Sequence, residues 1–432
     1  MLQLLILLTI IPPAILTDAV NFEDVTIAII GAGYSGLGAA EALIREHGFK
    51  NVKIYEAKDR VGGRVYTRTT GEGTFDMGAQ YIHSHASEMY KIAKNGNNVV
   101  EQDKQSNQSR LRTIDILQPG GKRMSLNAKN RMLGGFFSVF ELVDSFHEDG
   151  YVKKRVDAKV WKPTTVKDLV NSVQQSFFSE TSKQKGSMSI TTYEELTNNH
   201  WVFGRFINAF IRMLYSFREL DQVSILTMLW EQSEDSGDEI VAIPLGPRGY
   251  EQITSELMSR VGSDAVSLNS EIIKIDWSGS QAVLTTHDNK EIKVDHIIFT
   301  PGVGVLKSDH TKLFAPLLPN NKARYIETIG AGCMEKIFFL YSNDFWSPRP
   351  TASFLMDNKT AQQGDNDIKQ CFKVITTLPY SWIPPTLQTW IEYPCCLKLS
   401  TISDDELILA FTSVLKKYQF GSNIVEPLRI VR

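Results

Sequence analysis

Apolar positions change their spacing along the chain, and each change marks a different kind of element. Val25 to Ile30 is a short, nearly all-apolar, β-rich run, the pattern of a strand buried on both faces of a parallel sheet. A helix from Ser35 to about Glu46 follows, and Val52 to Tyr55 reads as a second strand. From Glu88 to about Glu239 the apolar residues recur at helical spacing instead. One helix is read over Arg131 to Phe146, with Met132, Phe136, Val139, Phe140 and Val143 in a stripe, and another over Val166 to Phe178. A third starts near Thr192, with Glu195 in capping-box position, and runs through Trp201, Phe206, Phe210 and Leu214. Lys183 to Ser189 is polar and reads as an exposed loop. At Ile240 the β pattern returns, and Ile297 to Thr300 closes that block. A last helix, Ser403 to Tyr418, opens S-D-D-E like a capped amino terminus, and no element is read beyond it.

The turn after the first strand is V-T-I-A-I-I-G-A-G-Y-S-G, with Gly31, Gly33 and Gly36 in dinucleotide-binding spacing. The first glycine permits the tight turn, the second lets the backbone approach a pyrophosphate, and the third lets helix and strand pack closely. The amino terminus of the helix then faces the phosphates. Glu56 stands twenty residues past Gly36, at the end of the second strand, where a carboxylate accepts hydrogen bonds from a ribose diol and its charge disfavours a 2′-phosphate.

Beyond Glu56 come R-V-G-G-R, with Gly62, Gly63 and Arg64, and F-D-M-G-A-Q-Y-I-H from Phe75 to His83. These motifs resemble the flavin-containing amine oxidases, and within them G-A-Q-Y-I-H is most similar to the polyamine oxidases. The resemblance implies bound FAD, with Arg64 neutralising its pyrophosphate, Gly78, Ala79 and Gln80 passing beside the flavin ring, and the backbone of Ile272 against the adenine. It also implies an α/β fold in which a discontinuous Rossmann-type FAD domain, 22–86 and 240–310, carries an inserted α+β substrate domain, 87–239 and 311–432.

Two residues stand out for chemistry. Lys336, in C-M-E-K-I-F-F-L, shares a strand face with Met334, Phe338 and Leu340. On composition alone it reads equally as a lysine whose stem packs while its head reaches water. The resemblance gives it a water to hold near the flavin, with burial favouring its neutral form. His83 borders the substrate in the resembling enzymes. The chain departs from that pattern at Ser84, where glycine is usual, and at Pro301-Gly302, where the proline comes one residue later. It also lacks the family's last block, so the expectation is that the chain as given oxidises amines poorly or not at all.

The implied reaction is hydride loss from the carbon beside an amine nitrogen of a polyamine, such as spermine, spermidine or an acetylated form, with oxygen as the final acceptor and hydrogen peroxide as product. A secreted L-amino-acid oxidase, and a non-catalytic relative that binds FAD or a polyamine, are the alternatives. The net charge of -3 gives no electrostatic reason to expect nucleic acid. Glu231 to Glu239 holds five acids, Glu231, Glu234, Asp235, Asp238 and Glu239, and reads either as a solvated loop or as a rim attracting a polycation. Residues 1–19 read as a secretory signal peptide cleaved after Ala19, too short to span a membrane comfortably, which implies a secreted protein without stable membrane insertion. Asn107 and Asn358 lie in glycosylation sequons. Cys333, Cys371, Cys395 and Cys396 are too few and too irregular to suggest a disulfide scaffold or a zinc site, and no metal is expected.

Overall fold

The computed structural model describes residues 23–100, 114–144, 165–224, 243–349, 352–357 and 367–432. The acidic run, both sequons and the amino-terminal segment lie outside the described residues. The chain divides into two compact units, one from Leu2–Glu101 and Glu239–Ile329, the other from Gln102–Asp238 and Gly330–Arg432.

The first unit is built on a parallel sheet whose strand order is His296–Phe299, Thr26–Ile30, Asn51–Tyr55, Val266–Ser267. The apolar run predicted as a doubly buried strand is one: Ile27 and Ile29 enter one core cluster, Ala28 and Ile30 the opposite one. The first cluster holds the helices Tyr34–Glu41, Glu88–Asn95 and Glu251–Val261 against the sheet. The second includes residues of a meander of Glu291–Val294, Ala282–Thr286 and Ile272–Asp276, edged by Phe314–Ala315. Asp295 ties the two sheets together, accepting from the Thr26 amide at 2.8 Å, the Thr26 hydroxyl at 2.7 Å and the Gln281 amide at 2.8 Å. The helix read as running to Glu46 is α-helical over Tyr34–Glu41 and continues as a π-helical turn, Ala42–Glu46.

The boundaries of this unit are wider than the sequence reading places them. Ile92 and Ala93 are buried in the first core cluster, and Asn98 donates to the Gly249 carbonyl at 2.8 Å. Leu313, Phe314, Leu318 and Ile326 are buried in the second. Residues 88–100 and 311–329 therefore pack with the dinucleotide strands, because their apolar side chains complete those two cores.

The second unit has a six-stranded sheet in the order Arg429–Val431, Met334–Leu340, Thr386–Glu392, Val374–Leu378, Ala352–Leu355, Ile114–Leu117. On one face Ile337, Phe339 and Leu387 pack against the capped helix Asp404–Lys417, with Phe339 and Phe411 stacked at 3.8 Å. On the other, Ile116, Phe354 and Val374 meet the helices Leu126–Asp144, Val166–Lys183 and His200–Tyr215 through an aromatic cluster of Phe136, Phe206, Phe210 and Phe354. The chain after Tyr418 is not featureless: Arg429–Val431 pairs antiparallel with Met334–Leu340, a strand too short to show a periodicity.

Two further expectations change. The helix read from Thr192 is two helices, Ile190–Asn198 and His200–Tyr215, separated at Asn199. Its cap is Ser189, which accepts from the Thr192 amide. Glu195 instead accepts the Ser125 amide at 2.8 Å, just ahead of a different helix. The cysteines all form disulfides, Cys333–Cys396 and Cys371–Cys395. Sequence spacing hides this pairing. The middle strand Thr386–Glu392 is antiparallel to both neighbours, so its exit, leading to Cys395 and Cys396, lies against the entrances of Met334–Leu340 and Val374–Leu378. Cys333 and Cys371 stand at those entrances.

Candidate active site

The glycine turn is shaped by close backbone contacts rather than by side chains. Gly31 has a φ of 98°, and a Cβ on Gly36 would lie 1.9 Å from the Gly31 carbonyl oxygen. The Thr300 hydroxyl closes the turn from beneath, donating to Ile30 O at 2.7 Å and Gly31 O at 3.1 Å. The helix that follows has Gly33 as its N-cap, with no side-chain cap and no acid in its first turn. The loop Gly62-Gly63-Arg64 lies directly on this turn: Gly62 donates to Ala32 O at 2.8 Å, and a Cβ on Gly63 would stand 3.2 Å from Gly33 Cα. Arg60 holds the loop by donating to Val61 O and Gly63 O, a role nothing in the motif announced.

Arg64 is exposed, and its guanidinium makes no hydrogen bond or ion pair with a described residue. A Cβ on Gly302 would lie 3.7 Å from its Nη2. Gly302 is the N-cap of the helix Val303–Leu313, again without a side-chain cap. Its φ of -64° and ψ of 160° are extended backbone open to any residue, so the displaced proline leaves an ordinary turn. Glu56 Oε2 accepts from the Ala32 amide at 2.7 Å and Oε1 from the Lys58 amide at 2.9 Å, which leaves lone pairs on both oxygens for hydroxyl donors. The chain leading to Ile272 runs alongside, with Ser270 donating to Glu56 O at 2.7 Å and Asn269 to Lys58 O at 2.9 Å. Two helix amino termini without side-chain caps, a cation with no partner among the described residues and an acid at the neighbouring strand end suit a pyrophosphate linked to a ribose diol.

The strand-like passage Met77 to Ala79 runs beside Arg64 to Tyr66, Met77 donating to Tyr66 O at 2.8 Å and Ala79 to Arg64 O at 3.3 Å. Gly78 is required there by proximity: its Cβ would be 1.7 Å from Arg64 O. Gln80 and the short strand Tyr81–Ile82 continue from it, and His83 follows, exposed. Ser84 needs no left-handed backbone. Its carbonyl accepts from the Ser87 hydroxyl at 2.8 Å and its Oγ from the Ala86 amide at 3.1 Å, forming the turn that leads into the helix capped by Ser87.

Residues the sequence reading passed over support this passage. Asp76 Oδ1 accepts the Tyr250 amide at 3.0 Å and the Thr67 hydroxyl at 2.6 Å, and the Tyr250 hydroxyl donates to Tyr81 O at 2.9 Å. Tyr34, inside the glycine motif, reaches the Thr254 hydroxyl at 2.9 Å. Only the tertiary fold brings position 250 to position 81.

In the second unit Lys336 is 4% exposed on the strand Met334–Leu340. It stands opposite Trp390 in the pairing, with its Nζ 5.1 Å from the Trp390 ring centroid and 5.8 Å from that of Phe338. The residue is therefore buried as a whole, with two aromatic rings near its amine. No group of histidines, cysteines and acids among the described residues could hold a metal ion.

The profile of the family described as flavin containing amine oxidoreductase matches residues 34–432, and the chain belongs to that family. It is an FAD-dependent oxidoreductase acting on amines. It is similar to the protein named probable polyamine oxidase 5 of Arabidopsis thaliana, 24% identical over 93% of this chain and 78% of that protein. It is also similar to the peroxisomal N(1)-acetyl-spermine/spermidine oxidase of Bos taurus, 20% identical over 94% of this chain and 80% of the other. Among solved structures, cyclohexylamine oxidase from Brevibacterium oxydans shares the fold with a TM-score of 0.66 and 19% identity, over 94% of this chain and 84% of that one.

Proposed function

We propose that this protein oxidises polyamines, meaning spermine, spermidine or their acetylated forms, and releases hydrogen peroxide. The observation that carries the reading is Lys336, an amine buried between Trp390 and Phe338. FAD, when bound, supplies a two-electron acceptor for hydride from the carbon beside the amine nitrogen and passes those electrons to oxygen. Gly31, Gly33, Gly36, Gly62, Gly63 and Arg64 would hold its pyrophosphate, Glu56 its ribose and Ile272 its adenine, and Gly78, Ala79 and Gln80 would pass beside the ring. Lys336 Nζ holds a water and handles the proton, its aromatic neighbours keeping bulk solvent away. His83 borders the amine. The names of the two curated relatives support the substrate class. Peroxide release, measured across spermine, spermidine, N-acetylated polyamines, simple monoamines and L-amino acids, tests it. Turnover of L-amino acids with none of any polyamine would overturn it.

We further propose that the protein passes through the secretory route. The Thr17-Asp18-Ala19 site, the sequons at Asn107 and Asn358 and two disulfides support this, since disulfides persist in oxidising compartments. The expected mature protein starts near Val20 and loses mass with a glycosidase. Retention of Met1 with no glycan would refute the route. Among the described residues no helix is long and apolar enough to cross a membrane.

A further inference from the structure

We propose that Tyr250 is a positioning residue for His83, acting through the main chain of Tyr81; the inference rests on the role given to His83 above. The strand that carries His83 at its end, Tyr81–Ile82, is two residues long and pairs with Ile243–Pro244, Tyr81 opposite Pro244. Proline has no N–H, so that partner cannot donate to the Tyr81 carbonyl. The donor is the Tyr250 hydroxyl, at 2.9 Å.

Tyr250 is itself held on several sides. It is 3% exposed. Its amide donates to Asp76 Oδ1 at 3.0 Å, and its carbonyl accepts from the Thr254 hydroxyl at 3.0 Å. The Thr254 hydroxyl in turn meets Tyr34 Oη at 2.9 Å, and Tyr34 is the first residue of the helix that follows Gly33. Burial, with Tyr34 and Asp76 adding to it, pushes the ionisation of the Tyr250 phenol far above its ordinary range, so the hydroxyl stays a donor at every working pH. Hydrogen bonds at both ends of Tyr250, to Thr254 at its main chain and to Tyr81 at its phenol, therefore link the start of the dinucleotide helix to the residue two before His83. The Tyr81–Ile82 strand is only two residues long, and the phenol adds a side-chain tie to its main chain.

Tyr250→Phe removes one oxygen and keeps the ring, so the packing survives. Hydrogen exchange of the 81–84 amides, followed by mass spectrometry, is expected to quicken by at least about tenfold, the ratio set by losing one hydrogen bond of roughly 1.4 kcal/mol. With an amine substrate, flavin reduction per bound flavin is expected to slow by about 10- to 100-fold at unchanged flavin content, the cost of a small misplacement near the reacting groups. In a His83→Ala background the same change should alter that rate by less than about twofold, since the two residues act as one unit. Unchanged exchange at 81–84 overturns the proposal, as does a full additional rate loss in the His83→Ala background or a loss of flavin with the rate per flavin intact. If the wild-type protein oxidises L-amino acids and no polyamine while Tyr250→Phe still frees the 81–84 amides, the positioning contact stands and the functional reading falls.

Discussion

The carboxylate of Glu56 accepts the main-chain N–H of Ala32 at 2.7 Å, so the acid that ends the second strand also closes the glycine turn that ends the first. One side chain thus shapes the cradle and, in the proposed function, takes the ribose. Glu56→Ala is expected to weaken FAD binding by about 1.5 to 3 kcal/mol, the range for hydrogen bonds to a charged group, or roughly 10- to 150-fold in Kd. Flavin fluorescence titration reads this directly. Unchanged affinity would remove Glu56 from the site.

Two glycines separate steric need from mere presence. Gly78→Ala places a methyl 1.7 Å from the Arg64 carbonyl oxygen, and since that neighbour is backbone it should cost about 2 kcal/mol or more and reduce flavin content. Gly38, in the helix Tyr34–Glu41, has nothing within 4 Å of its would-be Cβ. Gly38→Ala should therefore stabilise by about 0.5 to 1 kcal/mol through helix propensity. Urea denaturation of the two variants should move in opposite directions.

On the role proposed for Lys336, which handles a proton and does not hold the cofactor, Lys336→Met is expected to slow turnover by about 10² to 10⁴-fold while FAD remains bound. Stopped-flow measurement of both half-reactions decides it. Wild-type rates in each would exclude the role.

Either disulfide, once replaced by serines, should lower stability by about 2 to 4 kcal/mol. Cys333–Cys396 closes the longer loop, a separation of 63 residues against 24, and should carry the larger share. A non-reducing peptide map checks the pairing first. Four titratable thiols in the denatured, unreduced protein would contradict it.

Stability should also fall in acid through Asp295. Burial pushes its carboxyl upward, but the hydrogen bonds from Gln281 and Thr26 outweigh that and hold it below the usual carboxylate range. A depressed native value means the stabilisation is complete above the unfolded pKa of about 3.9 and is lost as pH falls through the native one. Asp295→Ala should cost about 1.5 to 3 kcal/mol at pH 7 and flatten that part of the acid limb. Equal stability of variant and wild type across the range would show that the bridge between the sheets contributes nothing.

The sequence by itself determined the parts that depend on local chemistry. A continuous apolar run specifies a strand buried on both faces, glycines at fixed spacing specify a turn with close backbone approach, and Ser403 with Glu406 specifies a capped helix, all within a few residues of one another. Lys336 showed its unusual position through alternation alone. What only the tertiary structure decided concerns partners far apart in the chain: Glu195 capping a helix 70 residues away, Tyr250 reaching Tyr81, adjacent cysteines bonding to two different strands, and residues 88–100 and 311–329 joining the dinucleotide core. Periodicity reports which face of an element is apolar, but not which other element covers it. Sheet order and strand direction settle that, because they set which strand ends and which carbonyls come within hydrogen-bonding or bonding distance.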